Sequence, residues 1–379
     1  MAKSRVKLPS EASIFFVIIV VWTAMAMLSP YFGTVDNGLV LLQNGAVIGF
    51  LAVGQTFVLL TGGIDLSTAA NMALTGILGT LFMTWGLPWP AAVALALSFS
   101  VLFGLINGVL VRYVGLPSFI ATFGIQGVMA ALAQIITNGV SITAADSGFA
   151  WLGQGKVFGI PVPVLLLACA AAAAASLLRW TRLGVHIYAF GGNPRAARLA
   201  GVNTARTTLF VYGVSGLCGG IGGVITASRL MVGFPYVGSG NELFYSIAAA
   251  VVGGVSLFGG VGSILGAVLG AVLIATVSNG MNVNNISSYW QPLVIGLIIL
   301  GAVSVDTYRL RMSGRGLRGR TLFGLTIGRG RPTAQAPLGS MTPDPGRPSV
   351  PAPAASASSS VLGPTPRDPG SPSDPAAGP

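Results

Sequence analysis

The sequence predicts an all-α integral membrane protein, a polytopic bundle of about ten transmembrane helices with some broken or re-entrant segments and a disordered C-terminal tail. Three observations carry this expectation. Hydrophobic residues make up 53% of the 379 residues and charged residues only 8%, too few to cover a soluble globule of that size. Ten apolar stretches approach or reach the roughly 20 residues a helix needs to cross a bilayer: 14–33, 39–61, 66–86, 88–111, 119–138, 161–180, 207–228, 242–259, 262–280 and 289–306. With the N-terminus inside, 18 of the 20 Lys and Arg residues fall on the cytoplasmic side and only Lys156 and Arg229 lie outside, which is the positive-inside bias.

Taken in order, residues 1–13 form a short cytoplasmic tail with Lys3, Arg5 and Lys7, and 14–308 the membrane domain. The first apolar run, Ile14 to Leu28, lacks a persuasive small-residue cleavage site and reads as a retained span. The net charge of +11 follows from basic residues at inner membrane ends, where they meet anionic lipid headgroups. With no soluble basic domain, no nucleic-acid partner is expected. Cys169 and Cys218 both lie in apolar segments and propose neither a disulfide nor a metal site. After Asp306 comes an Arg cluster, Arg309 to Arg331, and from about Pro332 a Pro, Ala, Ser and Gly tail. Residues 309–379 are thus expected to be cytoplasmic, first lipid-anchoring and then disordered.

Two outer loops are longer than the rest. One, 138–160, carries Asp146, Trp151 and Lys156; the other, 230–241, carries Phe234, Pro235 and Tyr236. Together they suit a docking rim for an outside partner, while each aromatic ring alone also suits the interfacial belt.

The stretch Thr181 to Arg206 interrupts the apolar segments with four arginines and His186, the single histidine. Inside it, Asn193 is a good N-cap, Pro194 suits the first helical position, and Gly201 can take the left-handed conformation that ends a helix. The spacing predicts a helix from Pro194 to Ala200, with Arg195 and Arg198 on one side and Ala196, Ala197 and Ala200 as a small-residue face. So short a helix is marginal alone and needs a surface to pack on.

Within the spans, Gly262, Gly266 and Gly270 are spaced by four, which predicts three bare surfaces on one helical face. The pairs Gly62-Gly63 and Gly253-Gly254 mark breaks or re-entrant turns, tolerated at membrane depth only against protein or a water-filled path. Their contexts, TGGIDLS and VGGVSLF, resemble each other weakly.

Polar residues in the spans are candidates for a substrate path. Asn44 and Gln55 share one helical face roughly 16 Å apart; Asn71 with Thr75 and Thr122 with Gln126 are i,i+4 pairs; Asn107 and Asn279 each precede a glycine. Uncharged amides and hydroxyls along a path suit a neutral polyhydroxylated solute, though each alone serves equally as an interhelical hydrogen bond. Asp65 is the one acid expected at membrane depth, with an N-cap or helix-dipole role as the alternative. There is no run of Asp, Glu and His to relay protons or hold sodium. An ATP-binding loop G-x-x-x-x-G-K-[ST] is also absent from the sequence, so a pump would need a separate ATPase chain.

Five stretches carry a family resemblance: GQTFVLLTGGIDLS (54–67), LPSFIATFG (116–124), AFGGNPRAARLAGVNTAR (189–206), SLFGGVGSILGAVLGA (256–271) and SNGMNVNNISSYWQPLVIGLIIL (278–300). In this order, over about residues 10–310, the chain resembles the permease subunits of bacterial ABC sugar importers of the ribose, xylose and autoinducer-2 type. The resemblance implies an inner-membrane permease, both termini cytoplasmic, that translocates a pentose, hexose or related polyol by alternating access. It implies as partners a second permease subunit, most simply a copy of this chain, a cytoplasmic ABC ATPase that holds ATP and Mg, and a periplasmic sugar-binding protein. No catalytic residue, metal or cofactor is implied for this chain. The loop 181–206 would be the coupling loop, with Gly191, Gly192, Asn193, Ala196, Ala197 and Gly201 matching the family pattern. Two alternatives stay open, an amino-acid importer of a related permease group and a stand-alone facilitator of a small polar solute.

Overall fold

The computed structural model describes residues 10–238 and 241–312. The N-terminal tail to residue 9 and the C-terminal tail from 313 lie outside the described residues. Thirteen α-helices follow one another among the described residues: α1 (Ser10–Leu28), α2 (Val35–Leu60), α3 (Thr68–Thr84), α4 (Trp89–Val109), α5 (Ser118–Thr137), α6 (Ala150–Gln154), α7 (Val162–Trp180), α8 (Arg182–Gly192), α9 (Pro194–Leu199), α10 (Thr204–Leu230), α11 (Glu242–Val252), α12 (Ile264–Val283) and α13 (Gln291–Met312). Eight of the described helical stretches are long and apolar enough to cross a membrane.

The ten expected segments divide accordingly. Eight coincide with those long helices. The third is the 17-residue α3 and the eighth is the 11-residue α11. The apolar run 242–259 breaks because Gly254, Gly259 and Gly260 take φ of 87°, 88° and 74°, left-handed values that glycine adopts without steric cost. Residues 253–263 therefore form a turn-rich segment and not the end of a helix.

The bundle is organised around α10 and α2. Helix α10 packs on α2, α3 and α4, and α2 packs on α7, α11 and α12. Small residues on α10 make this possible, since in lipid helices gain from close van der Waals approach. A Cβ at Gly216 would meet the carbonyl of Ser100 on α4, and one at Gly223 would meet the carbonyl of Met72 on α3. Helices α1 and α13 contribute little buried surface and lie outermost.

One glycine expectation is corrected. Gly262 precedes α12, with Ser263 as N-cap and φ of 149° at Gly262, so only Gly266 and Gly270 share the helical face. There they press on the backbone carbonyls of Gly253 and Ala249, which fastens α11 to α12. The i+4 spacing could not show that the helix starts only after Gly262.

The two ends of the bundle differ. The basic end carries Arg112, Arg179 and the pair α8–α9. The opposite, loop end brings the two long loops together: β1 (Ile142–Thr143) pairs antiparallel with β4 (Val232–Gly233), Ile142 facing Gly233. A hairpin, β2 (Lys156–Val157) with β3 (Ile160–Pro161), projects beside them and presents Phe158 at 99% exposure.

Candidate functional site

At the basic end, Thr181 starts α8 by accepting a hydrogen bond from the Gly184 N–H. This helix was not anticipated from sequence; the Thr cap three residues before Gly184 was its signal. Next, Asn193 Oδ1 accepts from the N–H groups of Arg195 and Ala196, each at 3.1 Å, which starts α9. The far end closes with Gly201 at φ 81°, its N–H bonded to Arg198 O and the Val202 N–H to Ala197 O. That paired arrangement is a Schellman termination. The helix ends at Leu199, with Ala200 at the C-cap.

Of the small face, only Ala197 is buried, whereas Ala196, Ala200, Arg195 and Arg198 are exposed. Leu199, which the sequence reading passed over, is 91% exposed. The segment is fastened to the bundle just before α9. A Cβ at Gly191 would collide with the Leu60 carbonyl and the Gly260 nitrogen, and the Gly260 N–H itself donates to Leu60 O at 2.8 Å. From α8, the Tyr188 hydroxyl donates to Gly262 O at 2.8 Å, and burial pushes its pKa up. Thus α8 touches the end of α2, where the break 61–67 begins, and the break 253–263. A Cβ at Gly192 would meet nothing within 4 Å, although the Gly192 backbone itself lies against Gly260.

The break 61–67 is held by side chains, which take up backbone groups that leave the helical pattern. Asp65 is fully buried. Its Oδ1 accepts from the Ser67 N–H and hydroxyl, and its Oδ2 from the Ser215 hydroxyl at 2.6 Å. Ser67, not Asp65, is the N-cap residue of α3. Asn107 donates to Ser67 Oγ at 2.7 Å, and Thr122 Oγ1 accepts from the Leu66 N–H. Asn71 donates to the Gly216 carbonyl and accepts from Thr75. Four of the eight path candidates, Asp65, Asn71, Asn107 and Thr122, therefore fasten helices to one another. Gln126 is half-buried on α5, with no partner for its Oε1 among the described residues.

Toward the loop end lies a cavity of about 550 Å³ between α2, α3, α10, α11 and α12, a size typical of small-molecule sites. Asn44 and Asn279 line it, and so do Arg229, Glu242, Tyr245 and Asn282. Arg229 donates to Asn44 Oδ1 at 2.5 Å. Tyr245 donates to Gln291 Oε1, and Gln291 donates to Asn282 Oδ1. Asn279 Oδ1 and Glu242 Oε2 have no partner among the described residues. Phe234 and Tyr236 form one wall, their rings edge to face at 5.5 Å. The mixture of amides, hydroxyls and aromatic rings can exchange hydrogen bonds with a hydroxylated solute and cover its C–H faces. Arg229, Glu242, Tyr245 and Asn282 were missed because they come together only through the register of α10, α11 and α12.

Comparison with known proteins agrees with this architecture. Residues 37–303 match the family described as branched-chain amino acid transport system / permease component. The chain is 38% identical over 302 residues to the ribose import permease protein of Haemophilus influenzae, covering 79% of this chain and 93% of that one. It is 35% identical over 294 residues to the D-allose transport system permease protein of Escherichia coli, covering 77% and 90%. It is 32% identical over 354 residues to the xylose transport system permease protein of Haemophilus influenzae, covering 75% and 94%. No solved structure matches. The chain, a multi-pass helical membrane protein, belongs to this family of transport-system permease components.

Proposed function

We propose that this chain is the membrane subunit of an ATP-driven importer that carries a monosaccharide across the bacterial inner membrane by alternating access. The observation that carries this reading is the seat of Gly191 on Leu60 and Gly260. Through it α8, which leads directly into the exposed, capped α9, bears on the end of α2 and on the turn 253–263. Movement of α9 would reach the spans through backbone contacts that leave no slack. The relatives named for ribose, allose and xylose import supply the solute class.

In this reading the basic end and both termini face the cytoplasm. A separate ABC ATPase, which holds ATP and Mg, docks on α9. A periplasmic sugar-binding protein docks on the joined loops at the other end, where Phe158 and the Phe234–Tyr236 pair are exposed. A second permease subunit, most simply another copy, completes the pathway. The residues assigned to coupling are Gly191, Gly192, Asn193, Pro194, Arg195, Ala196, Ala197 and Gly201. This chain supplies path and linkage, with no covalent chemistry.

One observation favours a second reading. Arg229 and Glu242 line the same cavity, and opposite charges suit a zwitterionic amino acid. The test is co-purification from the native host in mild detergent, followed by reconstitution. An ATPase and a solute-binding protein in stoichiometric amounts, with ATP-dependent uptake of labelled ribose, allose or xylose, are the expected result. Uptake of leucine in place of the sugars would select the second reading. Isolation of the chain alone, moving solute without ATP, would make it a facilitator.

A further inference from the structure

Gln55 is the one buried side chain for which both polar atoms lack a partner among the described residues. It is 0% exposed, and neither its Nε2 nor its Oε1 makes a hydrogen bond. Buried amides normally find partners, and one that does not calls for an explanation. Its position on α2 supplies one. Asn44, Ile48, Leu51 and Gln55 follow at i, i+4, i+7 and i+11, a single stripe of the helix. Asn44 and Ile48 line the cavity at the loop end. Met72 of α3 also lines it. Beneath them Leu51 and Met72 meet over Gly222 of α10, each with an atom 3.6 Å from where a Cβ would stand there. Gln55 lies one turn further toward the basic end.

We propose that Gln55 is an inner contact station for the sugar, separated from the outer cavity by an apolar plug of Ile48, Leu51 and Met72 against Gly222. This rests on the importer reading. The plug has no polar atom with which to hold a sugar, so it serves as a barrier and not as a site. The amide beyond it offers one acceptor and two donor hydrogens to solute hydroxyls. In the present conformation the cavity is open on one side of the plug and the amide is sealed on the other. A path shut between two polar stations is what alternation between two access states requires.

The experiment uses the full chain with its ATPase and binding protein in proteoliposomes, with labelled ribose, allose and xylose as probes. Uptake by the unaltered complex comes first; failure there with all three sugars counts against the importer reading itself. Gln55→Leu then replaces an unbonded amide with an apolar group of similar size. Unfolding temperature and ATP hydrolysis should hold or rise, while uptake falls about tenfold, the effect of losing one well-placed hydrogen bond along the path. Unchanged uptake in a stable Gln55→Leu chain overturns the proposal. Should that variant fail to fold, Gln55→Cys in a Cys169→Ala parent replaces it, read against the parent for labelling of Cys218. A water-soluble maleimide should label position 55 during ATP turnover and not at rest. Absence of labelling in both conditions overturns the proposal, and so does equal labelling in both.

Discussion

The backbone N–H of Gly260 donates to the carbonyl of Leu60 across 2.8 Å, and Gly191 packs against both residues. Three segments far apart in sequence therefore meet through main chain alone. Side chains in contact can yield by rotation, but these backbones cannot. Displacement of α8 must move the end of α2 or the turn 253–263 with it.

Gly191→Ala is the direct test of that junction. The new methyl group would overlap the Leu60 carbonyl, and overpacking of this kind costs about 1–3 kcal/mol. The spans themselves do not depend on this contact, so membrane insertion should be unaffected. Uptake should fall about tenfold while ATP hydrolysis by the docked partner continues, an uncoupled phenotype. Normal uptake at normal expression would remove the junction from the coupling route.

Gly201 probes the helix instead of its seat. Nothing lies within 4 Å of a Cβ at this residue, and its φ is 81°. The cost of Gly201→Val is therefore conformational, about 1–2 kcal/mol. Gly201→Asn should be far milder, because Asn tolerates the left-handed region. ATPase retention on an affinity column should rank Gly above Asn and Asn above Val. Equal retention for all three would show that the Schellman end is dispensable.

Asp65 predicts a stability effect. Its carboxyl group accepts three hydrogen bonds, two from Ser67 and one from Ser215. Asp65→Ala leaves those donors buried and unpaired, at a cost of about 3 kcal/mol. Thermal unfolding in detergent, followed by tryptophan fluorescence, should shift down by several degrees. The double variant Asp65→Ala with Ser215→Ala should recover part of the loss, since it removes one stranded donor. No recovery would mean that Ser215 finds another partner.

These sites were legible to different degrees, and the reason is range. The caps of α9 are local chemistry: Asn193, Pro194 and Gly201 within nine positions specify both ends of a helix, and the structure differs by one residue. The breaks were also legible, because Gly62-Gly63 and Gly253-Gly254 have no side chains to hold a helix. The roles of Asn71 and Asn107 were not. Whether an amide on a span meets solute or a neighbouring helix depends on which helix stands opposite, and the Gly216 carbonyl bonded to Asn71 comes from distant α10. Arg229 illustrates the same limit. Sequence placed it as an outer-loop charge, yet its guanidinium reaches across to Asn44 and lines the cavity.

Asn279 offers a test of whether solute contact, under the proposed function, is separable from ATPase docking. It is 7% exposed, lines the cavity and keeps an Oδ1 with no partner among the described residues. Asn279→Leu keeps the volume and removes the acceptor, so folding should be unaffected while sugar uptake falls about tenfold. ATPase docking should not change, since α9 lies at the other end of the bundle. Loss of docking together with uptake would point to general damage and not to a solute contact.

Leu199 gives the sharpest statement about the partner surface. At 91% exposure it contributes nothing to the fold of this chain. A Leu left in water at the end of a capped helix, beside exposed Arg195 and Arg198, has the form of an anchor waiting for a pocket. Leu199→Asp should change stability by no more than about 0.5 kcal/mol, all the more because the new carboxylate would stand four residues after Arg195 and could pair with it. If the ATPase buries Leu199, the same change forfeits about 1.5–3 kcal/mol of apolar transfer, or at least tenfold in affinity. Titration of the purified ATPase onto the reconstituted chain measures this directly. Leu199→Met, which keeps an apolar side chain of similar volume, should bind as the parent does. If Leu199→Asp binds equally well, the tip of α9 is not in the interface and the docking surface must lie on α8.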